Sequence, residues 1–527
     1  MNRRAGVLIA VGATLTGLVS GAPSATAKSS APRAAAPKWT SCATKAYPKL
    51  ECSSVRVPLD HRQPKGKQIT LALSRVRHTT KAFQGVLLVN PGGPGGSGLR
   101  LAGFVAASLP PKVAAQYDVV GFDPRGVGAS KPALDCRPHH FAPVRPDSLP
   151  LDQDTERANL VRALSFSQGC AAKYGDLLPF LDTVSAAKDM DLIRSALGFK
   201  KVNYFGYSYG TYLGAVYAKL FPHRVRRAVL DSVVNPDGVW YGDNLNQDLG
   251  FDARHKAFSA WVAKHDAVYH LGTDPAKVEA AWYAMRAALR TRPAGGLVGP
   301  AELEDTYLSG GYYDGFWPEL AEAFAAYATK KDTEPLVDAY EDFGAVDAAG
   351  DNGYSVYTAV QCRDASWPRD WGTWRSDNRA VYTKAPFNTW NNAWYNAPCL
   401  SWPVGSLKRT DITNRSIPPV LIFQATGDAA TPYEGGVAVH RKLHGSRLVV
   451  ESGGGNHGVT LSDNACLDRY LTDYLATGKL PPADPSVAAD AVCSPAPEPK
   501  PLSRSARTAQ AAKSTGDTLH RLLGHRN

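Results

Sequence analysis

Short apolar runs bounded by turn residues, spaced by longer amphipathic stretches, set the pattern of the chain from Ile69 onward. Ile69 to Arg77, Gly85 to Asn90 and Tyr117 to Asp123 have strand length and strand composition, and Val202 to Tyr207 and Arg226 to Asp231 repeat the motif. Ser185 to Leu197 and Thr211 to Phe221, on either side of the fourth run, carry the apolar spacing of helices. Strands alternating with helices predict a mainly parallel sheet covered on both faces, an α/β fold.

After Asp231 the pattern changes. Ten of the eleven tryptophans lie between Trp240 and Trp402, among helix-like segments such as Asp252 to Tyr269, Pro275 to Thr291 and Trp317 to Lys330. This reads as a mostly helical insertion placed over the sheet as a cap, with most of its aromatics forming its own core. Pro419 to Ala425 and Arg447 to Glu451 return to strands, and Ser462 to Thr477 predicts a closing helix. From Ser494 the chain is Pro-rich and then basic, which predicts disorder apart from a short helix near Leu519 to Leu523.

Composition adds a compartment. Met1-Asn2-Arg3-Arg4, the apolar run Ala5 to Val19 and Ala25-Thr26-Ala27 read as a secretory signal peptide cleaved after Ala27. No cysteine sits at that site, which argues against a lipid anchor, and no stretch is long and apolar enough to span a bilayer. The expectation is a secreted, extracellular protein. The eight cysteines then predict disulfides, and sequence order offers Cys42 with Cys52, Cys136 with Cys170, Cys362 with Cys399, and Cys466 with Cys493. No C-x-x-C spacing and no cysteine near a histidine pair supports a metal site. The net charge of +11 is concentrated at the ends, with +4 within residues 1–37 and +4 within residues 494–527. A body holding about +3 argues against a nucleic-acid groove.

Chemistry enters at Gly206-Tyr207-Ser208-Tyr209-Gly210, a G-x-S-x-G placed between a strand and a helix, the setting of a nucleophile elbow. A serine hydroxyl needs a base, and the base an orienting acid. His457 follows one predicted strand in Gly453-Gly454-Gly455-Asn456-His457-Gly458, and Asp428 follows another in Thr426-Gly427-Asp428. The order Ser208, Asp428, His457 is that of the α/β-hydrolase fold. Asp231 also ends a strand and stands as an alternative acid, while Asp123, in Gly121 to Gly126, is expected to fix its own turn with Arg125. Backbone N–H donors for an oxyanion are expected at Tyr209, after the nucleophile, and at Gly93 in the loop Asn90 to Gly98, with Gly92 as the competing donor. Gly93-Pro94-Gly95-Gly96-Ser97-Gly98 also fits a dinucleotide fingerprint, but Pro94 removes an amide from it and a redox reading leaves the serine, aspartate and histidine unexplained.

Together, Asn90 to Gly98, Gly121 to Ser130, Gly206 to Pro222, Gly427 to Pro432 and Gly453 to Gly458 resemble the secreted tripeptidyl aminopeptidases of actinomycetes, serine peptidases of the α/β-hydrolase fold related to prolyl aminopeptidases. The resemblance runs from about Trp39 to Cys493. It implies release of tripeptides from free amino termini without a cofactor or metal, and it supports Ser208 as nucleophile, Asp428 as acid and His457 as base. Two features depart from it: Pro91 stands where prolyl aminopeptidases carry histidine, and the basic tail is additional. A prolyl aminopeptidase or an esterase on the same scaffold remains an alternative, as does an inactive binding module. The expected organisation is a signal peptide at 1–27, a leader at 28–38, core at 39–231, cap at 232–411, core again at 412–493 and the tail at 494–527. The expected partner is a peptide with a free amino terminus, whose buried ammonium needs a carboxylate. The insertion offers Asp237, Glu302, Glu304, Asp314, Glu319 and Asp364 among others, and no motif selects one. Oligomeric state is not legible.

Overall fold

In the computed structural model, residues 36–483, 489–502 and 514–524 are described. The expected signal peptide and most of the leader lie outside them. Among the described residues ten strands, β1 (Thr40–Ser41), β2 (Glu51–Pro58), β3 (Gln68–Val76), β4 (Val86–Asn90), β5 (Asp118–Phe122), β6 (Val202–Tyr207), β7 (Val225–Asp231), β8 (Leu421–Ala425), β9 (Arg447–Glu451) and β10 (Ala491–Cys493), form one sheet. Its order is β1-β2-β3-β5-β4-β6-β7-β8-β9-β10. The first three neighbours pair antiparallel, and from β5 to β10 every pairing is parallel.

Period-2 alternation divides the side chains of each central strand between two apolar layers. Val86 and Leu88 of β4 join Tyr204 of β6 in a layer closed by the helices Thr183–Ala196 and Tyr209–Leu220. Leu87, Val89, Phe205 and Tyr207 face the other way, against Leu99–Ser108, Ala465–Thr477 and Thr515–Leu523. Burial on both faces explains why these strands read as continuous apolar runs.

The regular elements of the chain between β7 and β8 are helices, beginning with the long helix Tyr241–Lys264. Phe251, Phe258, Trp261, Trp282, Trp317 and Phe324 form the centre of a third apolar cluster there. Buried ion pairs fasten this part to the loop before the helix Gln153–Tyr174: Arg145 meets Glu302 at 2.8 Å, and Arg286 meets Asp147 and Glu304 at 2.5 Å each. All four disulfides expected from sequence order are formed: Cys42–Cys52, Cys136–Cys170, Cys362–Cys399 and Cys466–Cys493. No helix among the described residues is long and apolar enough to cross a membrane, and no cluster of candidate metal ligands occurs among them.

The short helix expected in the tail is present. Of the tail, residues 494–502 and 514–524 are described: the Pro499 carbonyl accepts from the Trp261 indole, and the helix Thr515–Leu523 begins earlier than predicted. Leu519 is fully buried, His520 stacks on Tyr313 at 3.9 Å, and the Gly516 N–H donates to Asp463.

Candidate active site

β6 ends at Tyr207 and the next helix starts at Tyr209, so the whole turn falls on Ser208, which is forced to φ +55° and ψ −130°. Such a conformation costs a non-glycine residue about 1–3 kcal/mol and needs surroundings that impose it. They are present: the Ser208 N–H donates to the Asp231 carbonyl, and its own carbonyl accepts from the Thr211 N–H and hydroxyl. The flanking glycines answer a steric demand, since a Cβ on Gly206 would lie 2.6 Å from the Gly210 carbonyl oxygen, and one on Gly210 would lie 2.8 Å from Asn90 Oδ1.

Asp428 and His457 come from the loops after β8 and β9. Asp428 Oδ2 lies 2.9 Å from His457 Nδ1 and Oδ1 lies at 3.1 Å, in a site where both side chains are almost wholly shielded from water. The carboxylate is held by N–H donors from Ala430 and Thr431 and by the Thr431 hydroxyl. The His457 N–H bonds the Tyr312 carbonyl at 2.8 Å, and the Tyr312 ring meets the imidazole edge-on at 5.5 Å. A buried imidazole whose Nδ1 faces a fixed carboxylate presents Nε2 as its basic atom.

Asp231, the alternative acid, has other partners. Its oxygens accept from the Val459 and Thr460 N–H groups and from the Thr460 and Ser232 hydroxyls, while Ser232 Oγ accepts from the Gly458 N–H. Asp231 thus anchors the backbone just beyond His457 rather than its ring. Burial pushes its carboxyl up to about 6, against the lowering effect of those donors.

In the loop after β4, the Gly92 N–H is taken by Asn90 Oδ1 at 3.0 Å. A Cβ on Gly92 would lie 3.0 Å from the Tyr209 amide nitrogen, so this loop runs directly against the start of the elbow helix. The expected partnership of Asp123 with Arg125 is not found. Asp123 accepts from Ser97 Oγ and the Ala129 N–H, tying its turn to the Asn90 to Gly98 loop, whereas Arg125 turns away to a doubly bonded pair with Asp189.

Gly93, Ser208, Tyr209 and His457 line one cavity of about 920 Å3, counting its open mouth. The far wall comes from the helical segment and includes Trp240, Asp243, Asn244, Gln247 and Gln361, and the tail adds Leu523 and Gly524. Sequence reasoning gave neither Asp243 nor the tail a place in the site, because no motif surrounds them and their relevance comes only from the folded chain.

The family model for the alpha/beta hydrolase fold matches residues 85–459. The chain belongs to this family. A tripeptidyl aminopeptidase of Streptomyces lividans is 46% identical over 88% of this chain and 87% of its own length. The serine protease Hip1 of Mycobacterium tuberculosis is 31% identical over 85% of this chain and 90% of its own, and a carboxylesterase B of the same organism is 32% identical over 84% and 88%. With serine peptidases among relatives that match nearly the whole chain, the protein is a serine hydrolase with a peptidase-like sequence.

Proposed function

We propose that this enzyme is an exported serine exopeptidase that releases tripeptides from free amino termini, with Ser208, His457 and Asp428 as its catalytic triad. The observation that carries the reading is the buried Asp428–His457 pair at 2.9 Å opening onto the same cavity as the strained Ser208 elbow. The Streptomyces relative supports the tripeptide specificity, and the four disulfides support an oxidising compartment.

Ser208 Oγ attacks the scissile carbonyl while His457 Nε2 takes its proton, and Asp428 holds the imidazole and stabilises its charged form. The N–H groups of Tyr209 and Gly93 receive the oxyanion. Gly93 is preferred to Gly92 because the Gly92 N–H already bonds Asn90. Collapse expels the amine with the proton returned by His457, and water entering by the same base hydrolyses the acyl-enzyme.

Two measurements test this. A fluorophosphonate probe should label the protein and fail to label Ser208→Ala; an unlabelled, folded wild type would remove the enzyme. A panel of chromogenic amides should show cleavage of free tripeptides over their acetylated forms and over single prolyl or alanyl residues. The carboxylesterase-like relative makes a simple ester the informative control: preference for the ester with no tripeptide turnover would favour an esterase.

A further inference from the structure

An exopeptidase must recognise the charge that marks a chain end. The carboxylates that the sequence offered for this are engaged elsewhere. Glu302 and Glu304 are paired with Arg145 and Arg286, and Asp364 is hydrogen-bonded to Thr183. Asp314 bonds Asn456, Asp237 lies at the surface beside Lys442 and Arg409, and Glu319 is exposed. None of the six lines the cavity that holds Ser208 and His457.

One acid does. Asp243, in the first turn of the helix Tyr241–Lys264, is the sole acidic side chain among the described residues lining that cavity, and His457 is the sole basic one. Its Oδ2 is shut off from solvent and has no hydrogen-bond partner. Its position is set by the backbone: the Asp243 N–H bonds the Gly238 carbonyl at 3.0 Å, and Oδ1 lies where a Cβ of Gly238 would be, 1.8 Å from that point. A buried oxygen with an unused acceptor site is costly unless a water or a ligand supplies the donor. The rest of the polar wall is neutral: Asn235, Asn244, Gln247, Gln361 and Asn392 present amides that suit a peptide backbone, and the hydroxyl-bearing residues beside them offer no competing charge. Burial holds the Asp243 carboxyl well above the ordinary carboxylate range, with Arg409 opposing and Asp237 reinforcing, and an incoming cation reverses that bias.

We propose that Asp243 is the anchor for the α-ammonium group of the substrate, and so the residue that makes the site select free amino termini. The inference rests on the exopeptidase reading and deepens it. An ammonium has three donors and a full charge, and a fixed carboxylate in a neutral, partly dry wall is its complement. The separation between this anchor and Ser208 Oγ then acts as a ruler, because an extended peptide advances roughly 3.3–3.6 Å per residue. Asp243 is thus a binding residue, remote from the bonds that break.

The test compares wild type, Asp243→Asn and Asp243→Glu on two readouts. The first is the ratio of kcat/KM for free over acetylated trialanyl anilide, which cancels differences in the folded fraction. Asp243→Asn should lower this ratio on the order of 10- to 100-fold, chiefly through KM for the free substrate, and Asp243→Glu should recover part of it. An unchanged ratio overturns the proposal. The second readout needs no peptidase activity: inhibition of p-nitrophenyl acetate hydrolysis by trialanine amide and by its acetylated form. The free amide should inhibit wild type more strongly, and the advantage should shrink by a similar factor in Asp243→Asn. If wild type cleaves the ester but no tripeptide, the exopeptidase reading fails, while a preference for the free amide that depends on Asp243 still upholds the ammonium site. Equal inhibition of wild type by both forms overturns it. Should Asp243→Asn fail to fold, Gly238→Ala keeps the charge but displaces the carboxylate, and it should lower the same selectivity.

Discussion

At the residue scale, the two strand-ending aspartates have different partners and should fail differently. Asp428 faces His457 Nδ1 directly, so Asp428→Asn keeps the shape but loses the correct tautomer and should cost on the order of 10⁴ in kcat with little change in melting temperature. Asp231→Asn weakens the hold on Val459 and Thr460, and should lower the melting temperature with a much smaller loss of kcat. Steady-state kinetics and thermal melts on both variants check the pair, and a reversed ranking would make Asp231 the acid. Asp364 carries a pH prediction. Burial, reinforced by Asp182 and opposed by hydrogen bonds from Thr183, pushes its carboxyl up to about 7. The folded state therefore holds a proton that the unfolded chain has lost between about pH 4 and 7, and stability falls as pH rises through that window by up to about 1.4 kcal/mol per unit. Asp364→Asn removes this slope, so urea unfolding should show the variant gaining roughly 3 kcal/mol on wild type between pH 4.5 and 7.5.

At the scale of elements, the helix Thr515–Leu523 is held by a few contacts that a single change can release. Leu519 is its fully buried anchor, and Arg521 lies over the rings of Phe316 and Phe343 at 5.4 and 5.5 Å. Truncating a buried leucine costs about 2–5 kcal/mol, enough to undock a nine-residue helix. Leu519→Ala should therefore expose Arg521 to trypsin, and mass spectrometry should show faster cleavage there than in wild type; equal rates would mean the docking is weak already. This helix also marks where the sequence stopped being legible. Strands buried on both faces, such as β4 and β6, announce themselves as apolar runs, and the elbow, Asp428 and His457 follow strands of this kind, so the centre of the candidate site could be located in the sequence. β10 has three residues, too few for a pattern, and β2 (ECSSVRVP) mixes polar and apolar residues as an antiparallel strand near the sheet edge does. The start of the helix Thr515–Leu523 was not legible because basic and Pro-rich composition dominates the tail, and the burial of Leu519 is visible only in the folded chain. Asp243 was invisible for another reason: an acid in the first turn of a helix is ordinary, and only its meeting with Ser208 and His457 across one cavity gives it meaning.

At the scale of the whole molecule, each disulfide closes a short loop within one region, the longest spanning 37 residues between Cys362 and Cys399. Constraint of the unfolded chain predicts a stabilisation of up to about 4 kcal/mol for that bridge and about 3 kcal/mol for Cys42–Cys52, which spans 10 residues. Replacing Cys362 and Cys399 together by serine should lower the midpoint of denaturant unfolding more than the same change at Cys42 and Cys52, and a thiol titration of unfolded, unreduced wild type should find none free among the bridged eight. The cavity draws its walls from positions as far apart in the chain as Gly93 and Gly524. Synthesis runs from the amino end at about 5–20 residues per second, so a ribosome that has made Ser208 needs roughly a further quarter of a minute to a minute before it makes Gly524. For most of that interval Ser208 exists without Asp428 and His457, and throughout it without the last wall of the cavity. Because Leu523 and Gly524 line the same cavity as Ser208, the order of synthesis leaves that cavity incomplete until the final segment has been made and docked.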